Sequence, residues 1–274
     1  MAVEGRLALD SRHKCSMKVQ LLPSSFDSDG GVSQRQHLTC VVVDDRVAFD
    51  AGSLALSCSD TQRRQIRDVV LSHCHLDHIA GLPLFLDDLF ATLSKPVRVH
   101  ASQAMIDILE RDIFNWSIYP RFSELKNNDA AVMSYHSFQS GKSFTVSHLT
   151  VAPTEVNHNV PSCGFVISNG ETSIGITGDT AETTSIWEEF DATADLTAVL
   201  VECAFPNEMQ DLAVISHHLT PLGLSKELAK FTRRDVQIYV VNIKPMYRDA
   251  VIRQIADLSL PNVQVMDVGR VYEL

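Results

Sequence analysis

Residues Asp68-Val69-Val70-Leu71-Ser72-His73-Cys74-His75-Leu76-Asp77-His78 open as a short apolar run and then place three imidazoles and a carboxylate within six positions. The apolar part has the length of a buried strand, so the ligand-type residues fall where a strand gives way to a loop. In extended backbone, side chains at i and i+2 share a face, and His73 and His75 can therefore reach one cation together. The bend at Asp77-His78 aims the next pair at a second cation nearby. This spacing implies two metal ions. Cys74 alternates away from both histidines and reads as a packing residue rather than a ligand.

Upstream of this cradle, residues 18–22, 38–43 and 46–50 have strand character, the last two joined by the turn pair Asp44-Asp45. Residues 63–70 run from a short helix into a strand, and residues 79–93 have helical periodicity. Residues 97–100 read as a strand, 102–113 as a helix capped by Ser102, and 114–128 as an aromatic, proline-containing connector. The second half repeats this logic. Strands at 144–151, 164–168, 173–177, 198–201, 237–241 and 263–265 alternate with helices at 181–190 and 222–231. Two β-rich halves with helices outside indicate an α/β (α+β) fold, a four-layer αββα sandwich. With no linker or low-complexity tract to divide it, residues 17–274 read as one domain behind a polar tail at 1–16.

A chain of 274 residues, 45% hydrophobic and 21% charged, can bury a substantial core. Its net charge of -11 disfavours a long polyanion such as RNA or DNA. The short basic runs, Arg63-Arg64 with Arg67 and Arg233-Arg234, have the pattern of solvated helix faces or ends. No stretch approaches the roughly 18 apolar residues of a membrane span, and the N-terminus lacks a signal-peptide core; a cytoplasmic location follows as the expectation. The cysteines at 15, 40, 58, 74, 163 and 203 have no CxxC spacing and read as reduced packing residues.

Further candidate ligands lie where strands end. His158 stands in Glu155-Val156-Asn157-His158-Asn159 and Asp179 in Thr177-Gly178-Asp179-Thr180, both free to project into a common cleft. The order HxHxDH, then a His, then Gly-Asp-Thr resembles the metallo-β-lactamase superfold across nearly all of residues 17–274. Within it the chain is similar to the class II 3′,5′-cyclic-nucleotide phosphodiesterases. That likeness is carried by residues 73–82, by Ile113-Phe114-Asn115-Trp116-Ser117-Ile118-Tyr119-Pro120, by His158 through Ser162-Cys163-Gly164-Phe165, by Val201-Glu202-Cys203-Ala204-Phe205 and by His218-Leu219-Thr220-Pro221.

The resemblance implies that His73, His75 and His158 hold one metal, zinc, that Asp77 and His78 belong to a second, and that Asp179 bridges the two. Asp77, Glu202 and His218 form the expected catalytic set, with His218 stabilising phosphate or protonating the leaving oxygen and Glu202 holding its tautomer. The implied reaction is hydrolysis of cAMP or cGMP to a nucleoside 5′-monophosphate by a metal-activated hydroxide, with a homodimer as the expected assembly. The chain departs from the family at Val241-Asn242-Ile243-Lys244-Pro245, where a His would complete the second metal site. Asn242 in that place either ligates through its amide oxygen, favouring Mn, Mg or Fe(II) over zinc, or merely ends a strand. His217, like His13, His37, His100, His136 and His148, reads as solvated or structural. Two rival readings are a tRNA 3′-end endonuclease of the same superfold and a catalytically silent protein that binds a nucleotide or metal.

Overall fold

The computed structural model describes residues 16–260 and 262–274. Most of the expected tail, with His13 and Cys15, lies outside them. Among the described residues, fourteen strands form two sheets of seven. The first contains β1 (Lys18–Leu21), β2 (Val41–Val43), β3 (Val47–Phe49), β4 (Asp68–Val70), β5 (Val97–Ser102) and β6 (Met133–Phe138). The second contains β7 (Phe144–Val146), β8 (Leu149–Glu155), β9 (Cys163–Ser168), β10 (Ser173–Ile176), β11 (Leu196–Glu202), β12 (Gln237–Val241) and β13 (Val263–Val265). The last strand, β14 (Val271–Glu273), returns to the first sheet and pairs antiparallel with β1.

Each sheet is half antiparallel and half parallel. In the first, β14, β1, β2 and β3 alternate in direction, and β3, β4, β5 and β6 run together. In the second, β10 to β13 are parallel and β7 to β10 antiparallel. Parallel neighbours need crossovers, and the helices supply them on the outer faces. The strand residues alternate accordingly. Ala198 and Leu200 face the opposite sheet, with Tyr239 and Val241, whereas Val199, Val201, Ile238 and Val240 pack under the helices with Trp187, Phe190 and Leu224. Phe165 bridges the sheets, 5.7 Å from Phe49 and 6.0 Å from Phe138 between ring centroids. These layers make the αββα sandwich expected from the sequence.

Several expected elements differ in detail. The 144–151 segment is two strands, because Ser147 turns the chain with φ 55°. The 79–93 helix is a short turn, Leu76–Ile79, followed by Gly81–Leu89. Helices at Gln210–Ser216 and Arg248–Asp257 and strands β6 and β14 are additional. Asp44 and Asp45 both have positive φ, as a tight hairpin turn demands, and the Arg46 N–H closes it on the Val43 carbonyl at 3.0 Å. Ser102 caps its helix, accepting from the Met105 N–H. Among the described residues the cysteines at 40, 58, 74, 163 and 203 are unpaired, and no helix is long and apolar enough to cross a membrane.

Candidate metal centre

Side chains for the site come from strand ends, where the ladder stops and the chain must turn. Asp50 follows β3, His73 to His78 follow β4, His158 follows β8, Asp179 follows β10, Glu202 ends β11 and Asn242 follows β12. This is the carboxyl edge of the parallel strands, the usual place for a ligand cleft in an α/β sheet. Sharp turns re-aim the chain there. Asp50 and Asn242 have φ of 59° and 55°, and Gly178, at 63°, puts Asp179 into the cleft. Gly52 meets the cradle so closely that a Cβ there would sit 1.9 Å from the Asp77 carbonyl.

Three overlapping trios are close enough for one ion each, with ligand atoms within 4.8 Å of one another: His73, His75 and His158; His73, His78 and Asp179; His158, Asp179 and His218. The imidazoles are oriented from behind. Ser72 Oγ donates to Asp50 Oδ2 at 2.7 Å, so it accepts from His73 Nδ1 at 3.0 Å; Asp50 Oδ2 also takes the His78 Nδ1 proton at 2.7 Å. A carbonyl can only accept, so the His217 carbonyl 3.0 Å from His158 Nδ1 places the proton there and turns Nε2 to within 3.1 Å of His75 Nδ1. His73 Nε2 and His78 Nε2 are left buried with no hydrogen-bond partner among the described residues. Buried polar atoms without partners are costly, and a cation is the natural satisfier of imidazole lone pairs held this way.

Protonation follows the same geometry. Burial pushes His73 well down, helped by His78; it also lowers His75 and brings His158 to about 4. These three are neutral and able to ligate at neutral pH. Burial would depress His78 as well, but Asp179 and Asp50 outweigh it and hold it up. The first group of donors therefore fits a divalent metal.

The second group is assembled differently. His78 Nε2 stands 3.3 Å from Asp179 Oδ2 without hydrogen-bond alignment, as a ligand would. Asp77, however, is engaged by Lys244, whose Nζ lies 3.0 Å from Oδ2. Asn242 presents Nδ2, not its oxygen, to Asp179 Oδ1 at 2.6 Å, and its backbone N–H is held by Gln36 Oε1 at 3.0 Å. Two of the four donors expected there are thus committed elsewhere, and the set does not fit a second ion as it stands. Burial would lower the Lys244 ammonium, yet Asp77 and then Asp179 keep it above its ordinary range and charged.

Glu202 is surrounded by donors: His218 Nδ1 and the Thr180 N–H on Oε1 at 2.9 and 3.0 Å, the Ala204 and Leu219 N–H groups on Oε2 at 3.1 and 3.3 Å. With its oxygens so used it positions His218 and ligates nothing. Burial pushes the Glu202 carboxyl up against the pull of His218; His218 in turn is raised because Glu202 and Asp179 outweigh its burial. His218 Nδ1 lies 3.9 Å from Asp179 Oδ2. A recess of about 210 Å³ opens beside it, lined by Asn157, Gln210, His217 and Thr220.

Residues 45–238 match the beta-lactamase superfamily domain. The chain belongs to the beta-lactamase superfamily. Among curated relatives it is similar to the probable 3′,5′-cyclic-nucleotide phosphodiesterase of Yersinia pestis, 24% identical over 211 residues, or 68% of this chain and 59% of that protein. The 3′,5′-cyclic-nucleotide phosphodiesterase of Aliivibrio fischeri is 28% identical over 204 residues, 66% of this chain and 60% of that one. The chain thus spans about three fifths of the length of these relatives. Unliganded yeast PDE1 shares the superfamily fold with a TM-score of 0.74 at 16% identity, covering 95% of this chain and 100% of that one.

The structure brings His73, His75, His78, His158, Asp179, Glu202, His218 and Asn242 to one cleft. Asp77 stands on its rim with Lys244. Sequence reasoning missed Asp50, Lys244 and the backbone of His217. Asp50 carried a signal, since Phe49-Asp50-Ala51-Gly52 ends a strand much as Thr177-Gly178-Asp179 does.

Proposed function

We propose that this chain hydrolyses 3′,5′-cyclic nucleotides, cAMP or cGMP, to nucleoside 5′-monophosphates in a metal-dependent reaction. The observation that carries the reading is the Glu202–His218 pair set 3.9 Å from Asp179 at the edge of a metal-competent histidine cluster. The names of the two bacterial relatives support the substrate class. His73, His75 and His158, with Asp179, would hold a divalent ion, zinc by donor type. When bound, that ion supplies a lowered pKa for water and a Lewis acid for the phosphoryl oxygens.

The chain's own residues do the rest. Attack forms a bond from water oxygen to phosphorus and breaks the bond to the 3′ oxygen, the proton lost by the water passing to solvent. His218, oriented by Glu202 through Nδ1–H, acts as the imidazolium and gives the Nε2 proton to that leaving oxygen. A substrate carrying a single negative charge suits a chain of net charge -11 better than a polynucleotide does.

The test is release of 5′-AMP and 5′-GMP by metal-stripped protein resupplied in turn with Zn, Mn, Mg and Fe(II), with a tRNA precursor assayed beside it. Turnover of either cyclic nucleotide is the expected outcome. Cleavage of the precursor alone would transfer the site to an endonuclease, and binding without turnover of either would make it a silent binder.

A further inference from the structure

Lys244 belongs to the Ile243-Lys244-Pro245 tripeptide that the family resemblance includes but has no role in the site that the resemblance implies, yet it stands with Asp77 on the rim of the cleft. Its backbone is fixed on both sides: its N–H donates to the Ala204 carbonyl at 3.1 Å, and its carbonyl accepts from Tyr247 N–H at 2.9 Å. The side chain reaches Asp77, and the two side chains are 25% and 27% exposed, so the pair lines the cleft instead of being sealed beneath it. An ammonium has three donors. One is used on Asp77.

Asn242 acts in the same sense. The neutral NH2 of an amide donates two hydrogens, and its lone pair, delocalised into the carbonyl, is not offered to a metal. Its 2.6 Å approach to Asp179 is a hydrogen bond, shorter than the roughly 3 Å that separates two donors on a shared ion with bonds of about 2.1 Å. The turn at Asn242, with φ 55° and its N–H tied to Gln36, holds the amide in this place. Of the donors beside Asp179 in the second group, His78 Nε2 then remains, without a hydrogen-bond partner and 3.3 Å from Asp179 Oδ2.

We propose that the Lys244 ammonium is a built-in second cation: it neutralises Asp77, works with one divalent ion per chain, and offers its remaining donors to an anionic phosphate oxygen in the cleft. The inference deepens the metallohydrolase reading and rests on the metal position assigned above, not on the identity of the substrate.

The test is the metal content of the full chain, stripped, reloaded with excess zinc and desalted. Wild type is expected to retain one equivalent and the double variant Asn242→His, Lys244→Met two. Two equivalents in wild type would overturn the proposal, as would none, or one in the folded double variant. The single variant Lys244→Met keeps one equivalent and binds inorganic phosphate about tenfold more weakly, as loss of a hydrogen bond to a charged group should make it. Unchanged phosphate affinity overturns the anion-binding role. Should the double variant fail to fold, the wild-type zinc content and the phosphate affinity of Lys244→Met decide the matter. None of these readouts uses a cyclic nucleotide, so a wrong substrate assignment leaves them unmoved.

Discussion

At the scale of single residues, the cleft separates groups that could reach a metal from groups that aim them. Asp50 belongs to the second kind, holding both Ser72 and His78. Asp50→Asn is expected to weaken zinc binding about 10- to 100-fold, in line with other groups that orient a ligand from behind; competition with a chelator measures it. Glu202 aims His218 instead, the proposed proton donor. Glu202→Gln should slow turnover roughly 100-fold while zinc content stays unchanged and the alkaline limb of the pH–rate profile moves, because His218 loses the carboxylate that raises it. Loss of zinc from this variant would show that Glu202 helps to build the metal position. His73 and His75 could be paired from period-two spacing, which is local; His158 and Asp179 were candidates only as strand ends, and their place as ligands came from the family resemblance. Lys244 was legible in neither way. Its partner lies 167 positions away, and the Ile243-Lys244-Pro245 tripeptide, though part of the family resemblance, does not by itself say that the ammonium turns toward the cleft.

At the scale of elements, the cradle depends on how closely it is seated against the β3 exit. The Gly52 N–H donates to the Thr39 carbonyl, and the Ala51 N–H to the His78 carbonyl at 2.7 Å. Gly52→Ala forces a methyl into the Asp77 carbonyl and should cost about 3 kcal/mol, as overpacking does, together with zinc affinity; chemical denaturation and zinc titration check the two effects.

A second element-level device lies on β4 and β5. Asp68 is gripped by Arg98 at 2.6 and 2.5 Å and by His100 at 2.9 Å. Burial would raise this carboxyl, but His100 and Arg98 outweigh it and hold it below the ordinary aspartate range. A depressed carboxyl adds stability above its unfolded value near pH 3.9 and loses it as pH falls through the lower folded value. Asp68→Asn should therefore cost about 2 kcal/mol at neutral pH. The gap to wild type should close as the pH is lowered from about 5 to about 2, and a constant gap across denaturation curves would refute the assignment. His100 is thus structural, as its lack of ligand-spaced neighbours suggested.

Long alternating or apolar runs such as 164–168 and 198–201 were readable as strands, each within one or two residues of its true ends. The short β6 and β14 were not, because three to six residues of mixed polarity carry little periodicity and their pairing comes from distant parts of the chain.

At the scale of the whole molecule, the two halves foreseen from the alternation of strands and helices are the two sheets, with one exchange at the end of the chain. β14 closes the first sheet, and Tyr272 on it meets Tyr239 of the second, ring centroids 4.9 Å apart. Removing residues 271–274 bares the β1 edge and deletes that contact. The expected result is a lower melting temperature and a greater tendency to aggregate, as an unprotected edge invites pairing; calorimetry and light scattering report on each. The sequence alone could not reveal this closure, since the partners of β14 lie more than 250 positions away.

Backbone bonds join Met17 and Leu274 in both directions, at 2.8 and 2.9 Å, so the span from residue 17 to residue 274 closes on itself. Cut instead at the exposed turn 139–143 and spliced across residues 274 and 17, the chain would run β7 to β13, then β14, then β1 to β6. Each sheet would become one uninterrupted stretch of sequence, with the order β14-β1-β2-β3-β4-β5-β6 read directly along the chain. Such a permuted protein would exchange its most distant strand pairing for a neighbouring hairpin. It should reach the native state faster than the natural order while keeping the same cleft.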